Sequence, residues 1–137
     1  MSINVEHLQR CITTLENALK KLEDSKPGSV DYDIFRNATI KGYELSLETA
    51  GKLLKKGLKP FFASPKEVDR LRFKELFRHA NKHSTITTEE CERWFAYHDN
   101  RNTTAHDYGA GFAESTLKLI PDFIVDAKKL AQTLSHP

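Results

Sequence analysis

The chain is poor in the features that would cross-link it, carry it through a membrane or give it a familiar phosphate loop. Its 137 residues include only two cysteines, Cys11 and Cys91. They are far apart and form no C-x-x-C pair, so no disulfide framework is expected, and buried free thiols in a reducing cytoplasm are the simplest reading. No apolar run approaches the ~20 residues needed to span a bilayer. Met1–Glu6 has neither a basic nor an apolar leader region, so no signal peptide is expected. G-x-x-x-x-G-K-[ST] is absent, Gly109-Ala110-Gly111 is too short to replace it, and no Ser or Cys stands in a nucleophile-elbow pattern. No stretch alternates with period two for long enough to make a strand, and there is no internal repeat.

What remains is an ordinary globular composition, 39% hydrophobic and 29% charged, enough for one domain over residues 1–137. The net charge of +2 is unevenly spread. Residues 52–82 hold ten Lys/Arg against three Asp/Glu. Such a segment can attract phosphate backbones or an acidic partner surface. The plainer alternative is that the lysines solvate helix faces and complement a helix dipole.

Apolar residues recur with helical spacing almost throughout. Val5, Leu8, Ile12, Leu15, Leu19 and Leu22 predict a first helix over about 3–24, broken by Lys26-Pro27-Gly28-Ser29. A second starts near Asp31 and carries Ile40, Tyr43, Leu47, Ala50 and Leu54, with Phe35, Ala38, Leu45 and Leu53 widening the stripe. That width predicts a central helix touching several neighbours. Ser64-Pro65-Lys66-Glu67 opens a third helix running to about Lys82. Thr87-Thr88-Glu89-Glu90 opens a fourth, running to His106 and stopped by Gly109 and Gly111. A fifth covers about 113–134, with Pro121 expected to kink it or force a restart. The fold class expected is all-α: a five-helix up-and-down bundle.

Two places invite a chemical reading. His79 and His83 have the spacing of a metal pair, but no third ligand is near and Arg78 and Lys82 would repel a cation, so no metal site is expected. Glu44 and Glu48 sit beside the buried face of the second helix, open to a groove or partner role or to simple surface pairing with Lys41 and Lys52. The fourth helix is more unusual. At about 100° per residue, Trp94, His98, Arg101, Ala105 and Tyr108 share one stripe, and an Arg in line with a core Trp is costly to bury unpaired. His106 lies about 140° from Arg101. One monomer therefore aims the two in different directions, and a two-fold dimer could bring both to one cleft. An imidazole can move a proton at a ribose 2′-OH or a leaving 5′-oxygen, and a guanidinium can hold a phosphate. No cofactor or metal is required. Arg and His near a helix end also commonly cap carbonyls, and spacing alone does not separate the two readings.

Arg101-x4-His106-x-Tyr108, with Asn102 directly after the Arg, resembles the R-x4-H-x-Y signature of HEPN-domain proteins. Within them the chain is similar to the nucleotidyltransferase substrate-binding branch, which includes the HepT toxins. A second block, Ala38-x-Ile40-x-x-Tyr43-Glu44-x3-Glu48-x3-Lys52-x-Leu54-Lys55, resembles that branch's helix-two pattern, as do the Ser64-Pro65-Lys66 entry and Pro121. The pattern departs at Gly51, where relatives commonly carry Trp.

The resemblance implies a cytoplasmic homodimer with two facing motifs, and a small nucleotidyltransferase of the MntA type as antitoxin partner. It further implies a metal-independent ribonuclease that this partner silences by transferring AMP to Tyr108. Arg101 would then bind phosphate, His106 do acid/base work, Asn102 orient the site and Tyr108 accept the nucleotide, with Tyr43, Glu44 and Glu48 as groove or partner contacts. The competing expectation is a non-catalytic subunit that presents a substrate or nucleotide to a separate nucleotidyltransferase. A vestigial motif on a structural helical dimer is the third.

Overall fold

A computed structural model of the chain describes residues 3–104 and 110–136, with side chains at all of these except 103, 104 and 110–112. Among them are six α-helices and no strand: α1 (Glu6–Glu23), α2 (Val30–Leu58), α3 (Pro65–Asp69), α4 (Phe73–Lys82), α5 (Thr88–Thr104) and α6 (Ala110–Ser135), with a 3₁₀ turn at Lys59–Phe61 after α2. None is long and apolar enough to cross a membrane.

The all-helical architecture agrees with the sequence pattern, but the expected third helix is two. Arg72 is extended (φ −82°, ψ 167°), and its N–H donates to the Glu75 carboxylate at 3.1 Å, so Glu75 restarts the chain as a new helix. Phe73, Leu76, Phe77 and Ala80 form their own i, i+3, i+4, i+7 stripe, out of step with Val68. At the other entries, local chemistry acts as expected or with less help. Ser29 caps α2 by accepting from Tyr32 N–H at 3.1 Å. Thr87 and Glu90 make the full reciprocal box, Glu90 N–H to Thr87 Oγ1 at 3.1 Å and Thr87 N–H to Glu90 Oε1 at 2.8 Å. Ser64 stands at the start of α3, yet its side chain makes no capping bond.

Gly28, at φ +86°, takes the turn between α1 and α2. Ser84 (φ +62°) ends α4 in a left-handed conformation usually given to glycine; Thr85 N–H reaches the Ala80 carbonyl at 2.8 Å and Ser84 N–H that of Asn81 at 3.0 Å. Helix α6 starts at Ala110, ahead of the expected 113, so Gly111 lies within it; it runs unbroken through Pro121, which rules out a restart there.

As expected, α2 is central, packing on α1, α4 and α6 and touching α3 and α5. Its buried stripe is narrower than the sequence suggests: Tyr43, Leu47, Ala50, Leu53 and Leu54 are buried, while Ala38 and Leu45 face outward. Under α5 lies an aromatic cluster in which Trp94 stacks on Phe77 (4.7 Å) and meets Tyr97 and Phe123 edge-on. The two ends of the described chain also meet, Ile3 N–H donating to the Leu134 carbonyl at 3.1 Å.

Candidate functional site

The site is built on the first and second turns before the end of α5, seated against the middle of α2. On its inner side, α5 is fixed by buried polar bonds. Tyr43 of α2, buried, donates its hydroxyl to the Tyr97 carbonyl at 2.9 Å. Asp126 of α6, also buried, accepts from Tyr97 Oη at 2.5 Å and from Arg93 in a two-point contact, Nε at 2.8 Å and Nη2 at 2.9 Å. Burial first, then the bond to Asp126, pushes the Tyr97 phenol far above its ordinary range; the same bond holds Arg93 more firmly protonated. Neither phenol is an acid or base near neutrality, since burial likewise pushes Tyr43 up against the opposing pull of Arg101.

On its outer side, one helical turn on, α5 presents His98, Arg101 and Asn102. His98 and Arg101 line a groove of about 250 Å³ together with Leu47, Glu48, Gly51, Lys52 and Lys55 of α2, Leu71, and Phe73 and Leu76 of α4. Arg101 is half-buried there. Its charge reaches Tyr43, Glu48 and His98, helping to lower the carboxyl and the imidazole. Glu48 is held below the usual carboxylate range mainly by Lys52, whose Nζ lies 3.2 Å away. His98 is stacked on Phe73 with centroids 4.5 Å apart and planes 8° apart. Burial is the main cause that lowers its pKa; Lys74 and Arg101 lower it further, against Asp99. The exposed Asn102 donates Nδ2 to His98 Nε2 at 3.2 Å, which needs that nitrogen unprotonated.

Gly51 has a physical reason in this arrangement. A Cβ there would sit 3.3 Å from two ring carbons of Phe73. The Phe73 ring is therefore packed between the α2 backbone and the His98 imidazole.

Of the residues singled out by sequence, the structure brings Arg101 and Glu48 to one groove with Asn102 beside it. Tyr43 lies beneath, in the core, as a strut between α2 and α5. Glu44, half-exposed, is not in the groove lining. His106 and Tyr108 lie outside the described residues. His98, one turn before Arg101, is the groove residue that sequence reading passed over; its place on the Trp94–Arg101 stripe was the available signal. Phe73 gave no signal, because its partner lies on another helix. His79 and His83 pack edge-on against Phe62 (4.9 Å) and stacked on Phe61 (4.0 Å), so both rings serve to seat the 3₁₀ turn on α4. No set of three potential metal ligands clusters among the described residues.

Chemically, the described residues of the groove offer a guanidinium, two lysines, one carboxylate and a weakly basic imidazole stacked on an aromatic ring. Guanidinium and ammonium groups of this kind can hold a phosphate. Residues 3–136 match the family described as nucleotidyltransferase substrate binding protein like. A Haemophilus influenzae protein named "Probable ribonuclease HepT" is 24% identical over 136 residues, covering 96% of this chain and 92% of that protein. A solved structure from Haemophilus influenzae, described as revealing the fold of a substrate binding domain of a nucleotidyltransferase, superposes with a TM-score of 0.83 at 25% identity, covering 96% of this chain and 98% of the other. A Thermus thermophilus structure shares the fold with a TM-score of 0.73 at 24% identity, over 93% of this chain and 98% of its own.

Proposed function

The chain belongs to the nucleotidyltransferase substrate-binding protein family, and on that premise we propose that it is a HepT-like toxin, a metal-independent endoribonuclease whose active site is shared across a homodimer. In this reading Arg101 holds the scissile phosphate. His106 takes the proton from a ribose 2′-OH as its oxygen bonds to phosphorus and the 5′-oxygen leaves, or returns a proton to that leaving oxygen. Asn102 orients the site through His98. The observation that carries the proposal is the seat of Arg101, half-buried in a groove beside Lys52, Lys55 and a His98 whose pKa burial lowers. An exposed apolar row on the outer face of α2, with Val30 at 74%, Ile34 at 54% and Leu45 at 44% exposure, supports the dimer, since a second copy would cover it.

The antitoxin is a small nucleotidyltransferase. It silences the toxin when the Tyr108 oxygen bonds to the α-phosphorus of a nucleoside triphosphate, pyrophosphate leaves, and the phenolic proton is lost to solvent. The added nucleotide brings negative charge to the motif that carries Arg101.

Cleavage of RNA by purified protein tests the reading. Arg101→Ala should lose roughly 10²–10³ in rate, the magnitude of removing one charge-stabilising donor, and His106→Ala should abolish cleavage. Equal cleavage by wild type and His106→Ala, or none by either, overturns it. The family description, nucleotidyltransferase substrate binding protein like, favours a second reading, a non-catalytic subunit that presents a nucleotide to the nucleotidyltransferase. Co-purification of the two subunits, with no growth defect when this chain is expressed alone, would favour that; a growth defect cured by Arg101→Ala would exclude it.

A further inference from the structure

The basic segment that sequence reading treats as one block is divided by the fold. Lys74 pairs with Asp99 at 2.7 Å, and Lys74 and Arg78 lie over the Phe95 ring at 5.4 and 5.3 Å, so these cations hold α4 against α5. The lysines at the end of α2 are arranged differently. Lys52, Lys55, Lys56 and Lys59, with His7, Asn4, Thr49, Leu53 and one acid, Glu6, line a second groove of about 660 Å³ between α2 and the start of α1. Lys52 and Lys55 also line the groove of Arg101. The two grooves thus lie on either side of one ridge of α2 and share its lysines. From Lys52 to Lys59 the ridge carries four cations over about 10 Å of helix.

We infer that this lysine groove is a track for the sugar–phosphate backbone of single-stranded RNA, which crosses α2 at Lys52 and Lys55 into the groove of Arg101. The inference rests on the ribonuclease reading for its choice of occupant, but its test falls on Lys56 and Lys59, which do not line the groove of Arg101. Charge complementarity supports it: four lysines face one carboxylate in an open groove, Lys52 pairing with Glu48 and Lys55 making a 3.5 Å contact to the Asp69 carbonyl. Lysine as a point charge suits a backbone whose phosphates vary in orientation. A helix dipole alone accounts for basic residues in the last turn of α2, where Lys55 and Lys56 stand. It does not account for two grooves that share Lys52 and Lys55, and it predicts a loss of stability, not of RNA binding, when those lysines are removed.

The test measures RNA affinity by fluorescence anisotropy across a salt series, using a short labelled single strand and the His106→Ala background so that nothing is cleaved. Lys56→Ala/Lys59→Ala should lower the slope of log K against log salt by about 1.4, or ~0.7 per phosphate contact, and weaken binding roughly tenfold at 0.1 M salt. Lys66→Ala/Lys82→Ala, the same charge removed from α3 and α4, should change both far less. Urea unfolding of each variant separates folding from binding. Equal effects of the two pairs, an unchanged slope for the first, or no RNA binding by the parent would overturn the track. If the first pair instead abolishes binding of the nucleotidyltransferase subunit and spares RNA, the groove serves a protein and the track falls. Failure of the ribonuclease reading looks different: RNA is bound with the predicted lysine dependence, but wild type does not cut it.

Discussion

Residues 93–97 and 98–102 occupy consecutive turns of α5, and they differ in almost every physical respect. In the first group Trp94 and Tyr97 are fully enclosed, and Arg93 is tied to a buried carboxylate on α6. In the second, His98 and Arg101 face a groove and Asn102 faces solvent. The first group ties Arg93 and the Tyr97 hydroxyl to a buried carboxylate; the second sets His98 and Arg101 along a groove. A helix can thus be rigid and chemically available at once, provided the two duties fall on different turns. On the ribonuclease reading separate readouts follow: changes in 93–97 should move stability alone, and changes in 98–102 should also move RNA binding or cleavage.

The largest effect expected is on the anchored turn. Asp126→Ala leaves the Tyr97 hydroxyl buried without its acceptor and Arg93 without its partner. It should cost about 3 kcal/mol in urea unfolding, the low end for breaking a buried pair because Arg93 is itself 44% exposed. Asp126→Asn, which keeps an acceptor, should lose less. A loss below about 1 kcal/mol for the alanine variant would mean the anchor contributes little and the contrast between the turns is false.

The next effect is on the groove turn and appears in pH dependence. The folded pKa of His98 lies below its unfolded value, so folding favours the neutral ring, and protonation of the unfolded chain competes as pH falls below about 6.5. Wild type should therefore lose more stability between pH 7.5 and 5.5 than His98→Gln, although the other histidines are common to both. Parallel pH profiles for the two proteins would remove the burial argument for His98.

The smallest effect is at Gly51, which joins the two regions through Phe73. Alanine should gain up to about 1 kcal/mol of helix propensity and lose a similar amount by crowding a ring 3.3 Å away. Net stability should change by less than about 1 kcal/mol, while the ring-proton shifts of His98, stacked on Phe73, move measurably in the NMR spectrum. Unchanged shifts would show that the α2 backbone does not position the stack.

Much of the fold was legible because its signals are local. Gly28, the Thr87–Glu90 box and the stripe Tyr43-Leu47-Ala50-Leu54 each act within one turn or one helix face. The break at Arg70–Arg72 was harder, since it depends on a Glu75 carboxylate reaching back to an N–H, in a segment free of Gly and Pro. Arg101 stood out as a charge in line with Trp94. The Arg93–Asp126–Tyr97 anchor and the Gly51–Phe73–His98 stack were not legible, because each joins residues from different helices that no periodicity relates. The lysines of 52–82 were visible as a sum; which of them share a groove was a matter of packing.

The bond between Ile3 and Leu134 has a consequence for chain order. Because α1 and α6 meet there, a short linker could join them and new ends could be opened at the exposed Gly28 turn, giving a circular permutant that begins at α2 and ends with α1. In such a molecule the pairing of α1 with α2, between neighbours in the natural order, would become the longest-range contact of all. The groove residues of α2, α4 and α5 would keep their sequence separations. Connectivity and site could then be varied independently.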